Sequence, residues 1–372
     1  MDSKAKEIIG SLLTDAGIQI NGPEPWDIHV KDERFYGRIL SGGSLAAGES
    51  YMDGWWDAER LDLFFEKVFE ANIEEKFSQT LKNLWFFIRY KILNPQSVKR
   101  SFKVGKQHYD KGNELFRLML DKRMVYSSGY WKDTDSLDEA QEKKLDLICR
   151  KLNLKPGLHL LDIGCGWGNL VKFAAENYGV KATGITISEK QAEFAHKECA
   201  GLPVTIKLQD YRSLDHIYDR IASVGMVEHV GKKNYSTFMK VVNRCLKQDG
   251  LFLLHTIGSN RSVEKCDPWI EKYIFPNSML PSLAQLTQAS EPYFITEDLH
   301  SFGPYYDRTL MAWDTNFRKS WRKLSQKYDD TFYRMWRYYL MSSAASFRTR
   351  QHQLWQLLFA KPVRRKMICT VR

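Results

Sequence analysis

The stretch LLDIGCGWGNL places Gly164, Gly166 and Gly168 within five residues, behind Asp162 and around Cys165. Glycines at this spacing allow a tight turn and bring the backbone close to a ligand. Two other residues have types suited to holding or moving a proton. Glu228 follows the apolar run DRIASVGM in VGMVEHVG, and His255 ends LFLLH in LFLLHTI. A carboxylate after a strand suits two roles: complementing a helix N-terminal dipole, or serving a reaction at the strand's C-terminal edge. His229, next to Glu228, lacks a strand of its own and reads as a structural or outer-layer residue.

These residues are separated by elements that alternate in type. EAQEKKLDLICRKLN, NLVKFAAENYG, SEKQAEFAHKECAG and NYSTFMKVVNRCLKQDG have helical apolar spacing. LHLLDIGCG, KATGIT, VTIKLQ, DRIASVGM and LFLLHTI read as strands. The alternation predicts an α/β fold, a mostly parallel sheet with helices on both faces, whose ligands lie beyond the C-terminal strand ends. Ser188 is the expected helix N-cap in SEKQ, three residues before Gln191.

Residues 1–100 read as a small α-rich N-terminal domain. A Gly-rich loop is expected in LSGGSLAAGESYMDGWWD, and helices in LDLFFEKVFEANIEEKF and LKNLWFFIRYKIL. The last helix sets Trp85, Phe86, Phe87 and Tyr90 beside Lys82, Arg89 and Lys91, which suits either packing on a core or lying in a membrane interface. Residues 101–140 read as an irregular aromatic linker that covers the ligand site. Residues 141–372 read as the catalytic domain, with a basic helical insertion near its end. Net charge is +10, and from Arg318 onward the only acids are Asp329 and Asp330. Such a balance suits nucleic acid or anionic headgroups. No apolar run approaches the roughly 20 residues of a membrane span, and MDSKAKEIIGSLL lacks the features of a signal peptide. Six scattered cysteines without a CxxC pair suit a reducing cytoplasm and no structural metal.

The wording D-I-G-C-G-W-G resembles the first motif of the class I S-adenosylmethionine-dependent methyltransferases, which share a Rossmann-like fold. In that setting Thr186 and Gln191 take the ribose, because the first acid after KATGIT, Glu189, already lies inside a helix. Asp210 and Tyr211, in LQDYR, take the adenine edge and face. The blocks YMDGWW, HYDKGNELF, YSSGYW, LDIGCGWG, GITISEKQ, LQDYR, VGMVEHVG, LLHTIG, WIEKYIFPN and YDRTLMAW together resemble the bacterial cyclopropane-fatty-acyl-phospholipid synthase family, over almost the whole chain. A mycolic-acid branch shares the catalytic domain but lacks such a first domain.

The resemblance implies transfer of a methylene from S-adenosylmethionine to a cis double bond of a phospholipid acyl chain. Attack by the alkene leaves a carbocation that water would quench, so the chamber must be apolar. Aromatic faces stabilise such a charge; the candidates are Tyr130, Trp131, Tyr273, Phe275, Phe302 and Tyr305. The family implies bicarbonate as the base, held by Glu228, His255, Tyr306, the Ile257 backbone and the segment at Ser128. The implied cosubstrate contacts are Tyr126, Ser127, Asp162, Gly164, Cys165, Gly166, Gly168, Thr186, Gln191, Asp210, Tyr211 and Arg212. The family's usual Tyr-Ser-Cys reads Tyr126-Ser127-Ser128 here, and a second family cysteine falls at Ser343, so the resemblance leaves no cysteine nucleophile at these positions. It further implies a homodimer, docked peripherally on the anionic inner face of the membrane, with unsaturated phospholipid as partner and no nucleic acid.

An RNA methyltransferase would need a basic module in the first 100 residues, where FEANIEEKF mixes both signs. A small-molecule N-methyltransferase shares the glycine motif and needs no membrane surface. A non-catalytic lipid-binding relative fits poorly with an intact glycine turn beside Glu228, His255 and Tyr306.

Overall fold

The computed structural model of the chain describes residues 2–73, 113–362 and 371–372. The expected helix at LKNLWFFIRYKIL, the HYDKG block and most of KPVRRK lie outside the described residues. The described elements begin with α1 (Asp2–Asp15), β1 (His29–Val30), α2 (Arg34–Met52), β2 (Trp56–Asp57), α3 (Leu61–Glu70), α4 (Asn113–Met119) and α5 (Leu137–Lys151). Next come β3 (His159–Ile163), α6 (Asn169–Tyr178), β4 (Lys181–Thr186), α7 (Glu189–Glu198), β5 (Val204–Leu208), β6 (Tyr218–Val224), α8 (Tyr235–Cys245) and β7 (Leu246–Ser259). The last are α9 (Pro268–Tyr273), α10 (Leu283–Ser290), β8 (Ile295–Ser301), α11 (Pro304–Leu324), α12 (Asp330–Arg348) and β9 (His352–Ala360).

The chain forms two compact units that are not continuous in sequence. One gathers residues 1–93, 267–276 and 310–351; the other gathers 94–266, 277–309 and 352–372. The block expected over 141–372 is divided between the units, since 310–351 groups with the first residues.

The first unit explains that grouping. Tyr338 of α12 packs edge-on against Phe65 of α3 at 4.9 Å, and Arg348 bonds Asp62 at 3.1 Å and Glu66 at 2.7 Å. Arg334 reaches Asp57 at 3.0 Å and the Trp56 carbonyl at 2.7 Å. Arg334 and Arg348 of the basic tail are therefore paired with acids of the first unit. The Gly-rich loop expected at 40–57 is instead helical through Met52, kinked at Gly43 (φ 56°, ψ −137°). Its glycines serve packing: a Cβ on Gly48 would stand 2.3 Å from Cδ1 of the buried Trp269.

The second unit holds a seven-stranded sheet in the order β5-β4-β3-β6-β7-β9-β8. The first five strands run parallel, and β9 lies antiparallel between β7 and β8. Side chains alternate between two cores, as a sheet covered on both faces requires. Phe252, Leu254, Leu357 and Phe359 join one cluster, while Leu251, Leu253, Leu358 and Ala360 join the other. Ser188 caps α7 by accepting from the Gln191 N–H, as SEKQ predicted. Among the described residues of the stretch expected to be irregular over 101–140, Asn113–Met119 is helical (α4), because Leu115, Phe116 and Met119 are spaced to bury one face, and α5 already begins at Leu137.

Candidate active site

A cavity opens at the C-terminal ends of β3, β4 and β6, within the second unit. Tyr126, Ser127, Asp162, Gly164, Cys165, Gly166, Thr186, Gln191, Asp210, Tyr211 and Arg212 all line it. The turn after β3 owes its shape to glycine, with φ of 86° at Gly164 and 55° at Gly166. At Gly166 a Cβ would meet nothing within 4 Å, so a ligand can approach that backbone. Gly168 has a different duty. It is not among the lining residues, and a Cβ there would stand 3.0 Å from that of Ala195, so it lets α6 pack on α7.

Thr186 Oγ1 donates to Gln191 Oε1 at 2.9 Å, which joins the two expected ribose anchors. Asp210 accepts from the Arg212 N–H at 2.9 Å and the Arg212 guanidinium at 3.3 Å. That guanidinium stands 5.1 Å from the Tyr211 ring centre, and Phe238 meets the same ring edge-on.

Lys144, Asn169, Ser188, Gln209, Gly225, Met226 and His229 also line the cavity and were not assigned to it from the sequence. Lys144, on α5, donates to Ser127 Oγ at 3.0 Å, and Gln141 of the same helix donates to the Ser127 carbonyl at 2.7 Å. Burial pushes the Lys144 ammonium down to about 8, against the pull of Asp121 and Asp162. Burial raises Asp162 to about 7, and its Oδ1 has no hydrogen-bond partner among the described residues. The signal for Lys144 was its place among buried helix positions, which a surface-type residue normally avoids.

Glu228 and His255 come together because β6 and β7 are neighbours, with Val224 opposite His255. Glu228 sits in a single 3-10 turn, Val227–His229, just beyond β6. Its Oε1 accepts the Ile257 N–H at 2.8 Å, so that backbone group holds the carboxylate directly. Glu228 is 5% exposed and His255 1%. Burial raises Glu228 to about 7. Burial, then the charges of Lys144 and Lys151, hold His255 well below its ordinary value, so the imidazole stays neutral. Glu228 Oε2 and His255 Nε2 are buried without a partner among the described residues. Gln356 of β9, opposite His255 in register, places its amide nitrogen 3.2 Å from Nδ1. In that arrangement Nδ1 accepts and Nε2 carries the proton.

Tyr130 anchors an aromatic wall within 5.7 Å of His300, Phe302 and Tyr305, and Phe302 meets His255 at 5.8 Å. Tyr306 is buried on the first turn of α11, beside Tyr305. Ser128 is fully buried, its hydroxyl donating to the Gly129 carbonyl at 2.9 Å. Trp131 donates to Thr309 Oγ1 at 2.8 Å, under the Arg308 guanidinium. Tyr273 and Phe275 belong to the first unit, where Tyr273 bonds Glu49 and Phe275 meets Tyr339.

This strand order, with a glycine turn after β3 and polar groups after β4 and β5, defines a class I S-adenosylmethionine-dependent methyltransferase. Residues 96–357 match the family model described as mycolic acid cyclopropane synthetase. The chain is 52% identical to cyclopropane-fatty-acyl-phospholipid synthase of Escherichia coli (strain K12), over 97% of this chain and 95% of that protein. It is 33% identical to cyclopropane mycolic acid synthase 1 of Mycobacterium tuberculosis (strain H37Rv), over 68% of this chain and 95% of that one. A solved structure of mycolic acid cyclopropane synthase CmaA1, complexed with SAH and CTAB, superposes with a TM-score of 0.65 at 31% identity, covering 70% of this chain and 98% of that one. The chain belongs to the mycolic acid cyclopropane synthetase family.

Proposed function

We propose that this enzyme transfers a methylene group from S-adenosylmethionine to the cis double bond of an unsaturated acyl chain in a membrane phospholipid, forming a cyclopropane ring. The observation that carries the reading is the placement of Glu228 and His255: two buried polar groups, one just beyond β6 and one within β7, each with a buried atom unpartnered among the described residues, on the sheet that also frames the cosubstrate cavity.

The cavity residues fit S-adenosylmethionine by their chemistry. The open space at Gly166 admits a ligand against the backbone, and Thr186, Gln191 and Asp210 offer groups for ribose and adenine. Glu228 Oε2 and His255 Nε2 fit a small oxyanion, because a neutral imidazole N–H and a carboxyl that holds its proton near neutral pH both donate. Bicarbonate bound there supplies the base that collects the proton lost on ring closure. Glu228 and His255 hold that base, the Ile257 N–H orients Glu228, and Gln356 orients His255. Tyr306 and the segment at Ser128 complete the cage in this reading. Tyr130, Phe302 and Tyr305 exclude water and present aromatic faces to developing positive charge. No cysteine is needed.

Access to the lipid is peripheral. Among the described residues no helix is long and apolar enough to cross a membrane. Arg318, Lys319, Arg322, Lys323 and Lys327 are exposed at the end of α11 and just beyond it, a basic cluster suited to the anionic inner leaflet. The test is incubation with labelled S-adenosylmethionine and vesicles of unsaturated phospholipid, followed by mass analysis of the acyl chains. The expected product has gained one methylene and lost its alkene signal. A methylated amine or base as product overturns the assignment.

A further inference from the structure

We propose that Lys144 is a positioning residue that turns the Ser127 hydroxyl toward the carboxylate of the cosubstrate's amino-acid end. The inference rests on the reading of the cavity as the S-adenosylmethionine site and adds a recognition element to it.

Lys144 is 1% exposed, yet it lines the cavity with Ser127. Its ammonium has three N–H donors, and among the described residues the one hydrogen bond it makes is to Ser127 Oγ at 3.0 Å. Asp121 and Asp162 act on it through their charge without forming an ion pair. Asp121 is occupied elsewhere, accepting the N–H groups of Val125 at 2.7 Å and Arg123 at 3.0 Å. A buried ammonium with spare donors at a cavity wall calls for an anion. Ser127 is clamped from both ends by one helix, since Gln141 bonds its carbonyl and Lys144 its hydroxyl. An oxygen that accepts from an ammonium keeps its own proton to give, so the Ser127 O–H must seek another acceptor.

The ligand's charges decide which group that is. S-adenosylmethionine carries two positive centres, the sulfonium and the α-ammonium, and one carboxylate. A lysine facing either positive centre at close range would repel it, the more strongly at the low effective dielectric of an interior. The carboxylate is the ligand group that Lys144 and the Ser127 hydroxyl complement together. Removing Lys144 should therefore weaken ligands that carry the amino-acid end and spare those that lack it.

The experiment measures binding to the full chain by calorimetry, with S-adenosylhomocysteine and with 5′-methylthioadenosine, which keeps the adenosine and thioether but has no carboxylate. Lys144→Met should bind S-adenosylhomocysteine about 10- to 100-fold more weakly, the range for a lost hydrogen bond to a charged group. Its affinity for methylthioadenosine should stay within about twofold by the same argument. Ser127→Ala should show the same selective loss, and the double variant should be no worse than the poorer single one, as for residues acting together. If Lys144→Met does not fold, Ser127→Ala, which leaves the lysine in place, carries the same comparison. Lys144→Arg should recover part of the lost affinity. An equal loss for both ligands shows that the lysine only shapes the pocket and overturns the proposal, as does an unchanged affinity for S-adenosylhomocysteine. Failure of the unmodified enzyme to bind S-adenosylhomocysteine instead overturns the cavity assignment beneath it.

Discussion

Glu228→Gln should make the protein more stable and less active, with the gain in stability absent below about pH 4.5 and growing as pH rises toward 7. Burial moves the Glu228 carboxyl from 4.5 to about 7, a difference of about 3 kcal/mol at roughly 1.36 kcal/mol per decade. The sign follows from which form the fold prefers. A carboxyl raised on folding favours its neutral state, so the fold carries no penalty below about pH 4.5. The penalty grows as pH rises toward 7 and is complete above it. Glutamine imitates the neutral carboxyl, and its Oε1 can still accept the Ile257 N–H. Urea unfolding at pH 5 and pH 8, for both proteins, isolates the effect, because Asp162 and the other buried acids titrate in each. The variant's advantage should grow by about 2.5 kcal/mol between those two pH values, while kcat falls by about 10-fold, as an amide replaces the carboxyl that holds the bound base. A stability difference that stays constant between pH 5 and pH 8 would refute the argument, since it would mean Glu228 does not titrate in this range.

Three other expectations follow from particular contacts. Gln356→Leu removes the amide facing His255 Nδ1, 3.2 Å away; kcat should fall about 10-fold for one buried hydrogen bond, and nitrogen NMR should show His255 as a mixture of tautomers. Unchanged spectra would show that Gln356 does not select the tautomer. Gly48→Ala drives a methyl to 2.3 Å from the Trp269 ring, so urea denaturation should show about 1–3 kcal/mol of lost stability. Co-sedimentation with anionic vesicles should weaken sharply between about 0.05 and about 0.5 M salt, as screening shortens; salt-insensitive binding would count against the basic cluster at the end of α11.

The sheet was legible because its strands and helices carry strong periodic patterns and its turns carry glycine and serine signals. Gly164, Gly166, Ser188 and Glu228 each stood at an element boundary that local pattern identifies, and His255 stood in an apolar strand, which runs on past it to Ser259. The first unit was harder to read. Gly42, Gly43 and Gly48 look like loop residues, yet Ala46, Ser50 and Tyr51 bury one face of a helix that tolerates them. No local signal tells that Trp269 needs the missing side chain at Gly48, because the two lie 221 positions apart along the chain. Lys144 and Gln356 were missed for a related reason. A lysine on a polar-looking helix and a glutamine in a strand acquire their roles only from partners brought by the topology, Ser127 in one case and His255 in the other.

The insertion of β9 between β7 and β8 bears on how the enzyme comes into being during translation. His255 is synthesised about a hundred residues before the segment that flanks it, and until that segment emerges β7 exposes an apolar, unpaired edge to other chains. A polypeptide stalled before residue 352 would thus be both inert and prone to association. Catalytic competence and protection from aggregation arrive together, with the strand that inserts beside His255.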